Sequence, residues 1–375
     1  MFLPSSPQVD LSSAERKSSG YRFVTEFQSH GPEFDYLKSI EIEEKINCIR
    51  WYRGSMGCKM LLSTNDKTVK LWKISDKQMK AVASAQVPHD ATGSACLQFP
   101  TITTCDSVIS ATPKRVYTNA HAYHINTLSL NSDGESFLSC DDLRLNLWNL
   151  RSNMLSFTLV DVKTENIESL SKVMTCADFH PQHCHTFFFA TSSGNVQLCD
   201  MRAAALCDKA SKMLKEPSDS ANRSFYSEIV STISGARFSR DGRYIVTRDF
   251  MHVRVWDVNM ESRPIKTFNV QEHLRSQLYD LYEKECIFDR FEASISRDGS
   301  NIVSGSYANQ FHVFSTDENR PSVSLTASHT PYAPSSQKHT FMGHGFNRAI
   351  MHTAFHPTQN IIAVAATSAL YIFRA

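Results

Sequence analysis

Hydrophobic and polar residues follow the same order in six stretches of this chain. Each stretch begins with a short β-rich strand that ends in a large apolar residue, and a polar turn follows. A second strand, a tight bend and a third strand come next. The first strands end at Trp51, Leu130, Phe179, Phe238, Ile295 and Phe355, and the third strands close at Trp72, Trp148, Cys199, Trp256, Phe314 and Phe373. The two positions lie 18 to 21 residues apart in every stretch.

This constant separation indicates an internal repeat. A small sheet cannot bury its apolar faces alone, whereas stacked copies bury a continuous core. The predicted fold class is therefore all-β, a WD-repeat β-propeller with six recognisable blades. Residues 21–375 are predicted to form this single domain, and the Ser- and Pro-rich residues 1–20 to be disordered.

The closing positions are spaced more widely than the ~40–45 residues of a bare blade. The excess predicts insertions at 76–113, 201–222, 270–283 and 328–346. One of them has helical periodicity, with a shared face formed by Leu274, Leu278, Leu281 and Tyr282. Loops on a repeat scaffold commonly carry its function.

The last stretch ends at Ala375, after only three strands. An unpaired edge is an aggregation hazard that native proteins cover or pair. Residues 21–28 alternate apolar and polar side chains and are the only strand free to do this. We therefore predict that they pair with residues 369–374 and close the ring.

The amino-acid composition limits the classes of partner and the cellular location that fit this chain. Hydrophobic residues make up 41% of the chain, including 23 Phe, which suits a packed β core. The net charge of +1 favours neither nucleic acid nor membrane as a partner. Without a secretory signal or a spanning segment, the chain is expected in the cytoplasm or nucleus, with Cys140, Cys176 and Cys199 as small buried hydrophobes.

Carboxylates recur at the bends between second and third strands, which share one face of a propeller. These bends are Asn65-Asp66, Asp141-Asp142, Ser193-Gly194, Arg248-Asp249 and Tyr307-Ala308, and Glu41, Glu43 and Glu44 approach the same face. Such a face suits basic peptides. Asp in a tight bend is first of all a turn former. Two adjacent carboxylates exceed what one turn needs, so one of Asp141 and Asp142 is predicted to bind a partner.

Other candidate chemistry is weaker. His180, His183, Cys184 and His185 offer zinc ligands. The His-Pro pair recurs at His356, however, without further ligands, so we interpret it as turn geometry. No cofactor is predicted, and the chain lacks the GxSxG, GxxxxGK[ST], HExxH and GxGxxG motifs of common enzymes. In residues 164–173, Leu170 lies between two serines and is a candidate partner contact.

Several long segments go beyond a generic WD repeat. They include EFQSHGPEFDYLKSIEIEEKIN (26–47), NAHAYHIN (119–126), DDLRLNLWNL (141–150), NRSFYSEI (222–229), WDVNMESRP (256–264) and LYEKECIFDRFE (281–292). From about residue 21 onward the chain closely resembles the B-type, 55-kilodalton regulatory subunits of protein phosphatase 2A. Members of that family are seven-bladed propellers, and the family's first blade has no counterpart here.

The resemblance implies a non-catalytic subunit that binds a helical-repeat scaffold (A) subunit and a catalytic (C) subunit. It also implies recruitment of phosphoprotein substrates with basic segments. The implied substrate-docking residues are Glu43, Glu44, Tyr123, His124, Asp142, Glu168 and Leu170, and the paired-carboxylate argument adds Asp141 as a candidate. The insertions at 76–113, where the family projects an arm onto the scaffold, and at 328–346 differ from the family.

Two alternatives stay open from the sequence. One is a general WD-repeat interaction scaffold or adaptor, which would show the same repeats. The other is a shortened product that folds but no longer assembles into the holoenzyme.

Overall fold

The computed structural model describes most of the chain in two compact units, Met1–Tyr117 and Thr118–Ala375. The described residues are 2–4, 21–36, 38–53, 58–82, 102–162, 172–207, 211–216, 225–317, 319–327, 346 and 348–374. The predictions for residues 5–20, Glu168, Leu170 and 328–345 lie outside these ranges.

The first unit contains eight strands in its described part. They are β1 (Phe2–Pro4), β2 (Tyr21–Phe23), β3 (Glu33–Asp35), β4 (Ile40–Ile42), β5 (Cys48–Arg53), β6 (Lys59–Thr64), β7 (Val69–Val82) and β8 (Ile102–Tyr117). Strands β5 to β8 form one antiparallel sheet, blade 1, and β3 and β4 form a hairpin. Beyond the blade, β7 and β8 continue as a two-stranded ribbon that pairs Ser75 with Ser110 and Val82 with Ile102. The described parts of the predicted insertion at 76–113, residues 76–82 and 102–113, are thus extensions of two strands.

The predicted pairing of residues 21–28 with 369–374 is wrong. Strand β2 pairs antiparallel with β1, with Phe2 opposite Phe23 and Pro4 opposite Tyr21. Residues 24–30 are not a strand and instead lie against blade 1, where the Phe27 and Trp72 ring centroids are 4.6 Å apart. Aromatic contact with the neighbouring sheet therefore replaces the predicted backbone pairing.

The second unit contains the remaining strands and the short helices. Its strands are β9 (Thr127–Leu130), β10 (Ser136–Cys140), β11 (Arg144–Asn149), β12 (Ser152–Asp161), β13 (Met174–Phe179), β14 (Thr186–Thr191), β15 (Val196–Asp200), β16 (Lys212–Leu214), β17 (Gly235–Phe238), β18 (Tyr244–Arg248), β19 (His252–Asp257), β20 (Lys266–Asn269), β21 (Ala293–Ile295), β22 (Asn301–Gly305), β23 (Gln310–Ser315), β24 (Val323–Thr326), β25 (Thr353–Phe355), β26 (Ile361–Ala366) and β27 (Ala369–Arg374). Its helices are α1 (Phe225–Val230), a 3-10 helix (Glu272–Gln277), α2 (Leu278–Glu283) and a 3-10 turn (Cys286–Phe288).

These strands form five antiparallel sheets in chain order. Blades 2 to 5 are β9–β12, β13–β16, β17–β20 and β21–β24, and blade 6 is the three-stranded sheet β25–β27. Strand β16 comes from the predicted insertion at 201–222, which therefore supplies the fourth strand of blade 3. The predicted helical face in 270–283 is confirmed, because Leu274 and Leu281 are fully buried.

Turn chemistry explains how first and second strands connect. Gly134, Gly242 and Gly299 each have φ between 65° and 75°, in the left-handed region that glycine adopts without strain. The NSDG and SRDG sequences therefore act as turns. His180 and His356 fill a related role. The Nδ1 atom of His180 accepts the N–H of Gln182, and that of His356 accepts the N–H of Gln359.

Neighbouring blades of the second unit bury apolar faces against one another. Between blades 3 and 4, the Phe188 and Phe238 ring centroids lie 4.8 Å apart. Phe268 with Phe314, and Phe311 with Phe373, repeat this 4.8 Å contact between the following blades. The predicted burial of the third-strand tryptophans is confirmed, since Trp72, Trp148 and Trp256 are at most 7% exposed.

The described residues thus give an all-β fold with six propeller blades, as the repeat predicts. Cys140, Cys176 and Cys199 are buried as predicted, and burial raises the pKa of the Cys176 thiol to about 12. Within the described ranges, every helix is too short or too polar to cross a bilayer.

Candidate peptide-docking surface

The carboxylate of Asp141 belongs to the interior of blade 2. It is fully buried, and its Oδ1 accepts the backbone N–H groups of Leu143 and Arg144 at 2.7 and 2.6 Å. Its Oδ2 lies 2.8 Å from His121 Nδ1. Burial favours the protonated acid, but the hydrogen bond and charge of His121 outweigh it and lower the pKa of Asp141.

His121 links this carboxylate to the third-strand tryptophan. Its Nε2 is 2.5 Å from Ser139 Oγ, which also accepts the indole N–H of Trp148 at 2.8 Å. Asp141 therefore orders the bend and the blade around it. Because a bound peptide cannot reach it, we correct the prediction and assign Asp141 to the fold.

The neighbouring Asp142 faces outward and is half-buried. Its Oδ1 accepts a hydrogen bond from Asn126 Nδ2 at 2.8 Å. The amide oxygen of Asn126 in turn accepts from Arg290 Nη1 at 2.7 Å. The Asn126 amide therefore connects Asp142 of blade 2 with Arg290, which lies 164 positions after Asn126 in the chain.

Arg290 ends a segment that displays exposed aromatic rings. Phe288, two residues earlier, is 55% exposed, and its ring centroid is 5.9 Å from that of Tyr282. The Tyr282 ring also meets Phe225 at 5.6 Å and Tyr226 at 5.9 Å. We call these four rings, Phe225, Tyr226, Tyr282 and Phe288, the aromatic cluster. Phe225 is 63% exposed, so the cluster presents apolar surface to solvent.

A buried layer holds the aromatic cluster in place. Leu274, Leu281, Ile287 and Phe291 pack in one core cluster, and Tyr226 and Tyr282 lie against it. The apolar face of the 3-10 helix and α2 therefore fixes the two helices, while their other faces stay in water. This arrangement exposes Tyr279 at 62% on α2.

Carboxylates outnumber cations in the two segments that carry these rings. Helix α1 and residues 278–290 carry five carboxylates, Glu228, Asp280, Glu283, Glu285 and Asp289, against the two cations Lys284 and Arg290. Four of the carboxylates are exposed, whereas Asp289 is half-buried. Aromatic faces attract Arg and Lys side chains, and an acidic rim strengthens that attraction. Together with Asp142, the aromatic cluster and its rim form the docking surface discussed below.

Two residues predicted for the site, Tyr123 and His124, are close in sequence to Asn126, whose amide hydrogen-bonds to Asp142. Tyr123 and His124 are exposed and precede Asn126 by three and two residues. The structure thus brings Tyr123, His124 and Asp142 to one end of blade 2.

In the first unit, Glu43 and Glu44 are exposed after β4. The bend of blade 1 nearby repeats part of the blade 2 geometry, because Asn47 Nδ2 donates to Asp66 Oδ1 at 2.7 Å. Because Glu43 and Glu44 are exposed, they can contact a binding partner on the surface of the first unit.

Sequence reasoning missed the aromatic cluster. The helical periodicity of 270–283 predicted only the buried face of this segment. It gave no prediction for Tyr279, which lies on the opposite face. Phe225 and Tyr226 follow an insertion with no periodic pattern around it. The segments NRSFYSEI and LYEKECIFDRFE contain many aromatic and acidic residues. A helix needs only one apolar face to pack on a core, so the additional aromatic residues could have indicated an exposed binding surface.

One family model matches this chain. It is the WD domain, G-beta repeat, and it covers residues 112–149. The match includes His121, Asp141 and Trp148, which form the hydrogen-bonded network of blade 2. Residues 112–149 are therefore similar to a WD repeat, and the six blade sheets give the described part of the chain an all-β, β-propeller fold.

Proposed function

We propose that this protein is a non-catalytic regulatory subunit of a type 2A protein Ser/Thr phosphatase that recruits substrates with basic segments. The observation that carries this proposal is the docking surface, where exposed rings lie within an acidic rim next to Asp142. The segments that resemble the phosphatase family include NRSFYSEI and LYEKECIFDRFE, which supply these rings. In this proposal the protein acts in the cytoplasm or nucleus with scaffold and catalytic subunits.

Recruitment raises rate through effective concentration. A substrate segment held on the docking surface keeps its phosphorylated residue near a tethered active site, and no new chemistry is needed. The aromatic cluster would hold an apolar or Arg side chain, and the carboxylates would attract flanking cations. Exposed charge pairs are screened by salt, so binding should weaken as ionic strength rises.

Fluorescence anisotropy with a short labelled peptide that alternates Arg and Leu tests the docking surface. The variant Phe225→Ala should weaken binding by about 1–2 kcal/mol, or roughly 5- to 30-fold. Phe157→Ala is the matched control, because Phe157 is 64% exposed on β12, outside the aromatic cluster. Equal binding by both variants, or tight binding of a Glu–Leu peptide, would refute the docking surface.

Assembly needs a separate experiment. Purified scaffold and catalytic subunits are incubated with this protein, and co-precipitation is scored together with dephosphorylation of a phosphopeptide that has a basic flank. Complex formation is expected for a regulatory subunit, and Phe225→Ala should still assemble. Faster dephosphorylation is expected with the unmodified protein and should be lost in Phe225→Ala, because that variant alters the docking surface. Peptide binding without assembly would instead support a general interaction scaffold, which the WD-repeat match alone also allows.

A further inference from the structure

The side chain of Tyr307 lies beneath the docking surface and is 1% exposed. It belongs to the bend between β22 and β23, which Ala308 and Asn309 form with φ of 57° and 55°. Two consecutive left-handed residues define a tight hairpin turn that leaves little freedom to its neighbours. Backbone bonds close this bend, with Ser306 N–H to Gln310 O at 2.9 Å. Tyr307 is therefore a fixed point in blade 5.

Aromatic neighbours hold the Tyr307 ring on several sides. The ring centroids of Phe291 and Phe346 lie 5.1 and 5.2 Å away, both with edge-to-face geometry. Phe250 lies at 6.4 Å. These contacts do not involve the hydroxyl group, so removal of the hydroxyl leaves the packing of the ring in place.

The Tyr307 hydroxyl reaches the segment that carries Phe288 and Arg290. It lies 2.7 Å from the carbonyl oxygen of Cys286 and 2.8 Å from Asp289 Oδ2. One contact is therefore before Phe288 in the sequence and the other is after it. Burial raises the pKa of Asp289, and the hydrogen bond from Tyr307 opposes this shift.

That segment has a reason to need a tether. Glu285, just before it, has φ of 58°, a left-handed conformation that is unfavourable for a non-glycine residue. The 3-10 turn that follows is only three residues long, and two backbone bonds close it, from Phe288 N–H to Glu285 O at 3.2 Å and from Asp289 N–H to Cys286 O at 3.1 Å. Such a short strained turn is held by its surroundings more than by itself.

We infer that Tyr307 is a positioning residue that sets the orientation of Phe288 and Arg290 on the docking surface. The inference rests on the proposed function, because it assigns Tyr307 a role in peptide binding that it performs without touching the peptide. Loss of the hydroxyl would release the Cys286–Asp289 turn while the ring stays packed.

The variant Tyr307→Phe tests this in a double-mutant cycle with Phe288→Ala, using the Arg–Leu peptide. Tyr307→Phe alone should weaken binding roughly 3- to 10-fold, the range expected for one lost hydrogen bond. In the Phe288→Ala background the same change should have almost no further effect, because the positioned ring is already absent. Tyr244→Phe, a half-buried tyrosine in blade 4, is the control and should leave binding unchanged.

Hydrogen exchange supplies a readout that does not depend on the peptide. In Tyr307→Phe, fragments covering residues 284–291 should exchange faster, while α1 and the melting temperature change little. Additive losses in the cycle, or unchanged exchange at 284–291, would overturn the tether. Unchanged binding by Phe288→Ala would instead overturn the docking surface, so the two failures are distinguishable.

Discussion

Blades 1 and 4 contain the same row of three large apolar residues, yet the two rows are buried differently. In blade 1 the row is Trp51, Leu61 and Trp72, and in blade 4 it is Phe238, Ile245 and Trp256, with adjacent members opposite each other in the sheet. The residues on the second and third strands are buried in both blades. The residue on the first strand is 51% exposed in blade 1 (Trp51) and 7% exposed in blade 4 (Phe238).

The difference arises from what covers each row. Phe238 packs on Phe188 of blade 3, whose second strand lies across it. In blade 1 the residues 24–30 cover Trp72 through Phe27 but leave Trp51 in solvent. The pattern that makes a blade is thus local, whereas the burial of its face depends on the neighbouring segment.

The sharpest way to break this comparison is to remove both rings. Trp256→Ala should lower the free energy of unfolding by roughly 3–5 kcal/mol, because it opens a cavity between blades 3 and 4. Trp51→Ala should cost less than about 1 kcal/mol, since half of its surface is already in water. Urea denaturation of both variants measures this, and similar losses would show that the two rows are equally covered.

The two blades should also differ in their response to acid. His30, in the segment that covers blade 1, is buried, and that burial, together with Lys70, lowers the pKa of its ring to about 4. The folded protein binds this proton less readily than the unfolded chain does. Stability is therefore complete above the unfolded pKa of about 6.5 and falls as the pH drops toward 4.

The expected loss from this histidine near pH 4 is about 3 kcal/mol, because its pKa falls from 6.5 to about 4 and one pKa unit corresponds to about 1.4 kcal/mol. Unfolding free energies at several pH values should show a shallower acid dependence in His30→Gln than in the unmodified protein. His124→Gln, at an exposed position, is the control. An acid dependence that persists unchanged in His30→Gln would assign the effect to other groups.

The bends of blades 1 and 2 allow a subtler test. Asn65 in blade 1 accepts the N–H groups of Lys67 and Thr68 much as Asp141 accepts those of Leu143 and Arg144. Asp141→Asn makes blade 2 resemble blade 1 and should cost roughly 1–3 kcal/mol at neutral pH, because the charged bond to His121 is lost.

That cost should shrink in strong acid. The folded-state pKa of Asp141 is lowered, so its stabilisation is present at higher pH and disappears as the pH falls through that value. Asp133→Asn, in the exposed turn before β10, changes the same chemistry and should shift stability by less than about 0.5 kcal/mol. Equal costs for Asp133 and Asp141 would contradict the structural role of Asp141.

The smallest expected effect on stability concerns the second residue of each bend, which is an Asp in both blades. Asp66 and Asp142 each accept from an Asn, but only Asn126 also contacts Arg290. Asp142→Lys should weaken Arg–Leu peptide binding by about 1–3 kcal/mol, with little change in melting temperature. Asp66→Lys carries the same charge change in blade 1. Loss of binding in both variants, or in neither, would exclude a specific role for Asp142.

Sequence reasoning predicted the blades because period-two alternation and Gly-containing turns are local signals. It also placed Trp148 and Trp256 inside, since strand ends with large rings can be buried only between sheets. Asp141 and Asp142 could not be separated, because neighbouring carboxylates differ only in the direction that the folded bend gives them.

Other features required information that the sequence pattern does not carry. Strand β16 is three residues long and lies in a segment rich in helix formers, so propensity favoured a loop or helix. The aromatic cluster joins Phe225 to Phe288, far apart in the chain, through a buried layer beneath them. The pairing of β2 with β1 depended on residues 2–4, which are too few to show any periodicity.

The order of strands within each blade has a consequence for how the protein is made. Every described blade pairs strands that follow one another in the chain, so most contacts close over short loops. Pairing between strands that follow one another favours early formation of each blade, so we expect a blade to form during synthesis before the next one is complete. One apolar face of a newly made blade then stays exposed to solvent until the next blade folds against it. The rate of synthesis, rather than a search through distant pairings, would set the pace of assembly in the second unit.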